Sequence, residues 1–377
     1  MRFFVDARAV LEHQGGVARS VLSTVAAASA EGRAEFVVLN NYPDKWTAFP
    51  NVRVLGYKGP ASSSIEARTW WEQTVLRRLV RESGADAVWS PWNWGIPVSL
   101  GCPSLLTVHD LIPLRRRNPM GSRYRSLVLR LALWHSLHSA SAIATPSEFT
   151  RNELIKRSIR PSRVETIHWG VSSAFSPRAD SSRYDRPVDA DDPRELSLLY
   201  VGGWEERKNL AALFDACALV AAGGDTGKVK LRLTGSVEKL AQPAAAALQR
   251  ASECVDVEFL GRVAEDQLPD VYRSADLFVF PSLEEGFGFP PLEAQASGIP
   301  VICGSADSIP EIVGDGAMIV DVTNVSELAS AIHRLALDPS LRKQLRERGL
   351  ASARRFSWRT CGMRYLAALE RLVHRGL

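Results

Sequence analysis

Two glutamates, Glu285 and Glu293, are separated by seven residues that include the glycine-containing run Gly286-Phe287-Gly288. A carboxylate can accept hydrogen bonds from two neighbouring hydroxyls, so this pair suits the binding of a polyol such as a sugar. Glycines let the backbone approach a ligand closely. Pro291 predicts a helix whose first turn contains Glu293, next to the positive end of the helix dipole. The spacing therefore predicts that Glu285 binds a sugar and Glu293 a ribose, with helix capping by Glu293 as the alternative.

Two adjacent cations, Arg207 and Lys208, follow a predicted strand ending at Gly202-Gly203 and precede a predicted helix. Open α/β sheets bind ligands at the carboxyl ends of parallel strands. Arginine offers a planar fork and lysine a point charge, and a diphosphate can use both. The pair therefore predicts a diphosphate site. The alternative is a solvated charge cluster that includes Glu205.

Three weaker patterns extend this prediction to other strand ends. Gly15-Gly16-Val17 follows the first predicted strand and opens a helix, where backbone N–H groups suit a phosphate or a sugar hydroxyl. The full GxGxxG pattern is absent, so a plain strand-to-helix turn is the alternative. Gly235 and Val263 close two later predicted strands, and small residues there would form a wall for a base or a ribose.

The elements that must position these residues alternate between strands and helices along all 377 residues, which predicts an α/β fold with parallel sheets. A charged, proline-containing stretch at 178–195 predicts a linker between domains at 1–177 and 196–355. The final segment, 356–377, predicts an amphipathic helix. Residues 1–190 carry 25 basic and 16 acidic side chains, whereas residues 191–377 carry 21 and 26, so the two halves are expected to meet different partners.

Composition excludes several classes of protein. With 46% hydrophobic and 23% charged residues, the chain is typical of a folded protein rather than a disordered or collagen-like one. None of the five cysteines belongs to a CxxC pair, which argues against a zinc site or a disulfide framework and favours a reducing cytoplasm. The first residues are too few and too charged for a signal peptide, and no apolar run is long enough to span a bilayer. Attachment to the cytoplasmic face of a membrane stays open.

The block Glu284–Ile302, together with Val201–Leu210 and Phe259–Val263, resembles the retaining, nucleotide-sugar-dependent glycosyltransferases of family 4. The resemblance covers essentially the whole chain, since weaker first-half motifs occur in the expected order. It implies the GT-B architecture, with two Rossmann-like domains facing each other across a cleft and the C-terminal helix crossing back to the first domain. The RKN variant at 207–209 resembles a subgroup that includes bacterial polysaccharide mannosyltransferases.

The resemblance also implies a role for each matched residue. Glu285 would contact the donor sugar and Glu293 the nucleotide ribose, while Arg207 and Lys208 would neutralise the diphosphate. His109 would lie beside the donor sugar, with a core histidine that hydrogen-bonds to the backbone as the alternative. Gly286, Phe287 and Gly288 would bind sugar hydroxyls and phosphate through backbone amides, and Gly16 would lie close to the diphosphate and the acceptor. Many members have an arginine where this chain has Gly203, so phosphate binding depends more on Arg207 and Lys208.

The implied reaction transfers a hexose, with mannose from GDP-mannose as the leading donor, to a hydroxyl of a glycan or lipid-linked acceptor in cell-surface polysaccharide assembly, such as that of lipopolysaccharide. The absence of an Asp-x-Asp motif at a strand end argues against a metal, and no cofactor is expected. The alternatives are a GT-B epimerase, a phosphorylase, which would normally be a much longer chain, and a non-catalytic nucleotide-sugar-binding protein.

A basic segment in the first half interleaves arginines with apolar and aromatic residues. This pattern predicts contact with an anionic acceptor or with an anionic membrane surface, with a solvated helix face as the alternative. Nucleic acid is not expected, because the excess charge is local. The six arginines are Arg115, Arg116, Arg117, Arg123, Arg125 and Arg130.

Overall fold

The computed structural model describes residues 1–11, 15–59, 65–115, 123–178, 195–235 and 240–375. The chain forms two compact units, one made of Met1–Gly170 with Phe356–Leu377 and the other of Val171–Arg355. The predicted linker at 178–195 lies outside the described residues except for its two end positions.

The first unit contains a seven-stranded, all-parallel sheet in the order β3-β2-β1-β4-β5-β6-β7. Apart from the edge strand β3 (Val52–Leu55), whose residues are half-buried or exposed, its strands are short and mostly buried, because helices cover both faces of a parallel sheet. The strands are β1 (Arg2–Val5), β2 (Glu35–Leu39), β3 (Val52–Leu55), β4 (Ala87–Ser90), β5 (Ser104–Thr107), β6 (Ala142–Thr145) and β7 (Val164–Thr166).

Seven helices belong to the described part of this unit, among them α14 (Trp358–Arg375), which follows the second unit in the chain. It packs against α1 (Gly16–Ser29), and Gly362 permits the close approach, since a Cβ there would lie 2.5 Å from that of Ala27. A π-helical segment, Glu72–Leu76, joins α2 to α3. The helices are α1 (Gly16–Ser29), α2 (Ile65–Trp71), α3 (Arg77–Ser83), α4 (Ile112–Arg115), α5 (Arg123–Ser139), α6 (Glu148–Lys156) and α14 (Trp358–Arg375).

The second unit contains a six-stranded, all-parallel sheet in the order β10-β9-β8-β11-β12-β13. Its strands are β8 (Leu196–Tyr200), β9 (Val229–Thr234), β10 (Asp256–Gly261), β11 (Leu277–Phe280), β12 (Val301–Gly304) and β13 (Ala317–Val320). Its helices are α7 (Leu210–Gly223), α8 (Gln242–Ala251), α9 (Leu268–Arg273), α10 (Phe289–Ala296), α11 (Ile309–Val313), α12 (Val325–Leu337) and α13 (Pro339–Ala353). Two parallel sheets with covering helices confirm the predicted α/β class.

Strand order decides where a ligand can bind in the second unit. The chain runs outward from β8 to β9 and β10, then returns to pair β11 on the other side of β8, with Leu277 opposite Leu198. The segments that follow β8 and β11 therefore emerge side by side and then diverge. Such a switch point leaves a crevice at the carboxyl end of the sheet.

Candidate functional site

The switch point between β8 and β11 brings the two cations and the first glutamate into contact. Arg207 and Lys208 lie in a single 3-10 turn, Glu206–Lys208, after β8, and Glu285 lies in the loop after β11. The Lys208 ammonium and the Arg207 guanidinium both donate to Oε1 of Glu285, the latter from 3.4 Å. Three predicted catalytic residues thus form one charged cluster at the carboxyl end of the sheet.

The loop that carries Glu285 is fixed by hydrogen bonds to its neighbours. Ser282 Oγ donates to Glu285 Oε1 at 2.7 Å, and the amide of Leu283 donates to the carbonyl of Arg207 at 2.8 Å. From the segment after β12, the single hydroxyl hydrogen of Ser308 is shared between the carbonyls of Glu285 and Phe287, which lie 3.0 and 3.1 Å from its Oγ. The carboxylate is therefore held in place before any ligand arrives.

Lys208 is an unusual lysine because its residue surface is only 6% exposed. A buried ammonium needs compensation, which here comes from Glu285 and from the ring of Phe280, whose centroid is 5.1 Å from Nζ. Tyr200 completes this part of the crevice, and its hydroxyl donates to the Gly203 carbonyl at 2.6 Å. Burial, and then the charges of Glu285 and Glu205, raise the pKa of Tyr200 well above its ordinary value, so this hydroxyl stays protonated.

The glycine turn and the following helix place Glu293 differently from the prediction. Helix α10 begins at Phe289 with Gly288 as N-cap, so Glu293 is the fifth helical residue, and the first turn has no acidic residue. The helix begins after Gly288 because a φ of +99° lies outside the helical region. The position requires glycine, since a Cβ would lie 2.5 Å from Ile309 Cδ1. The Glu293 carboxylate is buried and accepts a hydrogen bond from the Tyr272 hydroxyl at 2.9 Å. Gly286 lies between this turn and Glu285, half-buried.

The predicted wall for a base or ribose lies along the carboxyl ends of β9 and β10. Gly235 follows β9 with a φ of +111°, and its amide donates to the Gly261 carbonyl at 2.8 Å. The indole of Trp204 packs over Gly235, where a Cβ would overlap it, and donates to the Thr234 carbonyl at 2.7 Å. Val263 is half-buried in the loop after β10.

The first unit contains the remaining predicted residues. Gly15 is the N-cap of α1 and Gly16 its first residue, both exposed, with open space around Gly15. His109 is buried in the loop after β5 and packs against Trp169 at 5.2 Å. Its Nε2 lies 2.6 Å from the Pro91 carbonyl, an acceptor, so Nε2 carries the hydrogen. Burial lowers the pKa of His109 to about 4, which leaves a neutral ring whose Nδ1 has no hydrogen-bond partner among the described residues.

Aromatic side chains also gather at the carboxyl end of the first sheet. Trp92 and Trp94 follow β4 and are half-buried, with the Arg68 guanidinium 5.2 and 5.5 Å from their ring centroids. Arg68 Nε donates to Glu72 at 3.0 Å, and Arg8 bridges Glu72 to Asp6. The result is a charged and aromatic surface next to the strand ends.

The six arginines of the basic segment do not form one exposed face in the part that the structure describes. Arg115 lies over Phe149 and 3.7 Å from Glu153, and Arg130 donates to the Leu114 carbonyl. Arg123 is exposed. Arg116, Arg117 and the side chain of Arg125 lie outside the described residues.

Sequence reasoning missed the residues that hold the glutamates in place. Ser282, Tyr272 and Ser308 contact Glu285 or Glu293 or the loop between them. Ser282 could have been found, because it lies three residues before Glu285 at the same strand end. Ser308 also follows a strand, but Tyr272 lies within α9 and has no such signal.

Neither a metal site nor a membrane span is found among the described residues. No group of three or more histidines, cysteines or acidic residues there is placed to hold a metal ion. No described helix is both long enough and apolar enough to cross a bilayer.

Comparison with known proteins identifies the family. The family model described as Glycosyltransferase Family 4 matches residues 14–175, and that described as Glycosyl transferases group 1 matches residues 195–338. O-antigen chain mannosyltransferase B from Escherichia coli is 33% identical over 242 residues, 64% of this chain and 63% of that protein. D-inositol 3-phosphate glycosyltransferase from Rhodococcus opacus is 32% identical over 213 residues, 52% of this chain and 46% of that protein. The matches thus span less than two thirds of these relatives.

Solved structures agree with the family matches at the level of the fold. Sucrose-phosphate synthase from Thermosynechococcus elongatus superposes with a TM-score of 0.75 at 19% identity, covering 100% of this chain and 99% of that one. Such low identity supports the fold class alone, and the two parallel sheets agree with it. With family matches over both units and the charged cluster at the switch point, this chain belongs to the family 4 glycosyltransferases and has the GT-B fold.

Proposed function

We propose that this chain is a retaining glycosyltransferase that moves a hexose from a nucleoside-diphosphate sugar to a hydroxyl of a glycan or lipid-diphosphate-linked acceptor. The observation that carries the proposal is the cluster of Arg207, Lys208 and Glu285 at the switch point of the second unit. Two cations and a carboxylate in one crevice suit a ligand that combines a diphosphate with hydroxyl groups.

The cations would act on the leaving group. As the bond between the anomeric carbon and the diphosphate oxygen breaks, negative charge builds up on the phosphate. Lys208 and Arg207 would stabilise that charge once one of them releases Glu285 and binds the phosphate of the donor. The buried ammonium of Lys208 would act strongly because water screens its charge little. No metal is needed for this step.

Glu285 would bind hydroxyls of the donor sugar, because its second oxygen is available for them while Ser282 holds Oε1. The acceptor hydroxyl would attack the anomeric carbon on the face from which the diphosphate leaves, which retains the configuration. Its proton would pass to the departing phosphate oxygen. One carbon–oxygen bond breaks and one forms, so the step needs no other reactant.

His109 would contribute a hydrogen-bond acceptor rather than a general acid. Its ring is neutral at pH 7 and its Nδ1 carries an unshared lone pair. This atom can therefore accept a hydrogen bond from a sugar hydroxyl. Gly15 and Gly16, at the start of α1, would offer amides to a phosphate or a sugar hydroxyl. Glu293 would bind the ribose by exchanging its hydrogen bond from Tyr272.

The acceptor would bind along the strand ends of the first unit, where Trp92, Trp94 and Arg68 form a polar and aromatic surface. Aromatic faces bind the apolar sides of sugar rings, and a guanidinium binds phosphate. Mannose from GDP-mannose is the leading donor, supported by the name of the Escherichia coli relative. We place the reaction in polysaccharide assembly at the cytoplasmic face of the membrane.

A thermal-shift series tests donor binding first. The melting temperature of the full chain is measured with GDP, UDP or dTDP at about 1 mM, since a ligand bound only by the native state raises it. We expect GDP to stabilise most. Product analysis with GDP-mannose then reports the anomeric configuration. Stabilisation by none of the three, or an inverted product, would overturn the proposal.

A further inference from the structure

The first unit has a switch point of its own. Its chain runs outward from β1 to β2 and β3, then returns to pair β4 on the other side of β1, with Phe3 opposite Ala87. The segments that follow β1 and β4 therefore diverge and leave a crevice at the carboxyl end of the sheet. Six charged or aromatic residues, which together we call the first-unit crevice, gather there: Asp6, Arg8, Arg68, Glu72, Trp92 and Trp94.

Four of these residues form a continuous chain of ion pairs. Arg8 donates to both oxygens of Asp6 at 2.7 Å and to Glu72 Oε1 at 2.9 Å. Arg68 Nε donates to the same Oε1 at 3.0 Å. The side chains of Asp6, Arg8 and Glu72 are at most 10% exposed, whereas that of Arg68 is 30% exposed. Ligands can therefore reach the chain of ion pairs from the side of Arg68.

Two polar groups of the crevice remain available to a ligand. Both arginines donate to Oε1 of Glu72, so its Oε2 has no hydrogen-bond partner among the described residues. The terminal nitrogens Nη1 and Nη2 of Arg68 have none there either, because only its Nε is bonded. An acceptor and a pair of donors on two linked side chains match the hydroxyls of a sugar, each of which can donate and accept.

Two tryptophans flank Arg68 and add an apolar surface. The ring centroids of Trp92 and Trp94 lie 5.2 and 5.5 Å from its guanidinium carbon, and both residues are half-buried, so that part of each remains accessible. The Trp92 indole donates to the Asp6 carbonyl at 3.0 Å, which fixes the orientation of this ring. Aromatic side chains can pack on the apolar side of a sugar ring while its hydroxyls bind polar groups at the edge.

The backbone around Glu72 has two unusual features. A π-helical segment, Glu72–Leu76, begins at this residue, and such segments are frequent at functional sites. After β4, Gly95 has a φ of +105°, and a Cβ there would lie 3.5 Å from Glu72 Oε1. Glycine lets the chain turn in this way next to the carboxylate. Both features set the position of a carboxylate that would otherwise be costly to bury.

The charge of the four ion-paired side chains identifies the class of ligand. Two arginines and two carboxylates cancel, so the chain of ion pairs has no net charge to offer an ion. A phosphate would bring uncompensated negative charge next to the buried carboxylates of Asp6 and Glu72. An uncharged sugar brings no such charge, and its hydroxyls replace the water that it displaces. The crevice therefore favours a neutral sugar over a phosphate.

We propose that the first-unit crevice binds an uncharged hexose, the terminal residue of the acceptor glycan. Arg68 donates to its hydroxyls, Glu72 Oε2 accepts from one of them, and the two tryptophans pack against the ring. Arg8 positions Glu72 from the buried side. The assignment to the acceptor rests on the proposed function and narrows it, because the diphosphate of a lipid-linked acceptor then binds outside this crevice.

Binding of methyl glycosides, measured without any donor, tests the proposal. The full chain is titrated with the methyl α-glycosides of mannose, glucose, galactose and N-acetylglucosamine, and binding is followed by saturation-transfer difference NMR. Arg68→Met removes the terminal nitrogens and leaves Glu72 paired with Arg8. We expect the Kd of the sugar that binds to rise about tenfold or more, since two hydrogen bonds are lost. Arg2→Met is the matched control, because Arg2 Nε donates to Glu35 at 2.9 Å at the amino end of the same sheet.

Two further measurements distinguish a sugar from an anion. Arg68→Lys keeps the positive charge but loses the planar fork, so it should weaken the glycoside nearly as much as Arg68→Met does. Inorganic pyrophosphate, titrated by calorimetry, should bind both variants of Arg68 as it binds the wild type. Added salt should leave the affinity for the glycoside unchanged, because salt screens only charged partners.

Each outcome supports or overturns the proposal. Weaker glycoside binding in Arg68→Met, with Arg2→Met like the wild type, supports it. It is overturned if none of the four glycosides binds, if Arg68→Met binds as well as the wild type, or if that variant loses pyrophosphate rather than a glycoside. Stabilisation by nucleoside diphosphates reports separately on the proposed function, since a chain that binds glycosides but no nucleotide would keep the crevice and lose the donor site.

Discussion

Replacing Lys208 by methionine removes the ammonium at the switch point and keeps the hydrocarbon part of the side chain over Phe280. If Lys208 stabilises the leaving diphosphate, the loss should appear in kcat. Removing one preorganised donor from a developing anion costs about 2.7–4 kcal/mol, or 10²- to 10³-fold in kcat. Arg207 remains 3.4 Å from Glu285, so we expect a loss of about 10²-fold.

The same substitution should cost the fold less than the breaking of an isolated buried ion pair, for which about 3–5 kcal/mol is usual. Glu285 keeps its hydrogen bond from Ser282 at 2.7 Å and its contact with Arg207. We therefore expect the free energy of unfolding to fall by about 1–2 kcal/mol, which urea unfolding would measure. A folded variant with a large kinetic loss separates catalysis from stability.

The assay measures release of the nucleoside diphosphate at saturating donor and acceptor. Lys230→Met is the matched control, since Lys230 of β9 is an ion-paired lysine in the same unit, 3.1 Å from Glu258 and 3.3 Å from Asp256. We expect its kcat to stay within threefold of wild type. If Lys208→Met also stays within threefold, or if both variants lose activity equally, the role given to the switch-point cations is refuted.

Three further outcomes are expected. Ser282→Ala removes the 2.7 Å hydrogen bond to Glu285 and should lower kcat about tenfold with little change in melting temperature; an unchanged kcat would mean that Glu285 needs no positioning. The pKa of His109 falls from 6.5 in the unfolded chain to about 4 in the folded one, so the unfolded state binds the proton first and stability drops as the pH falls through this range. Between pH 7 and 4.5 this amounts to ~2 kcal/mol in urea unfolding, and His109→Gln should abolish that part; an equal acid loss in the variant would contradict it. Gly235→Ala should destabilise by about 2 kcal/mol or more, because φ is +111° and the Cβ would overlap Trp204, whereas Gly224→Ala, with φ of +78° and open space, should cost about 1–2 kcal/mol; equal losses would show that the overlap does not matter.

The strands were predictable because each depends on a local property. Runs such as Phe36–Leu39 and Leu277–Phe280 are apolar throughout, and a strand covered on both faces needs nothing else. The end of β11 and the start of α10 could likewise be predicted within a residue or two from Pro281, Gly288 and the prolines that follow. The exact start of α10 could not, because the sequence does not show that Gly288 adopts the φ of +99° after which the helix begins.

The candidate site likewise has one part that the sequence predicts and another part that it does not. The sequence predicts a diphosphate and sugar site at Arg207, Lys208 and Glu285, because two cations and a carboxylate follow predicted strand ends. That Lys208 is almost buried could not be predicted, since its environment comes from Phe280 and Glu285, more than 70 residues away in the chain. Which apolar residues of α5 meet the core could not be predicted either, because the helix has two apolar sides and Leu133 and Leu137, not Leu127 and Leu131, prove to be buried.

The sequence by itself determined the α/β class, the strand positions and the chemical character of the site, because these depend on hydrophobic runs, turn residues and charge that act over a few positions. Tertiary structure decided which of these groups meet. Only the pairing of β11 beside β8 brings Glu285 onto Lys208, and only the packing of α9 against α10 buries Glu293 against Tyr272. Strand order and helix packing are set by the burial of the whole core, so no local pattern encodes them.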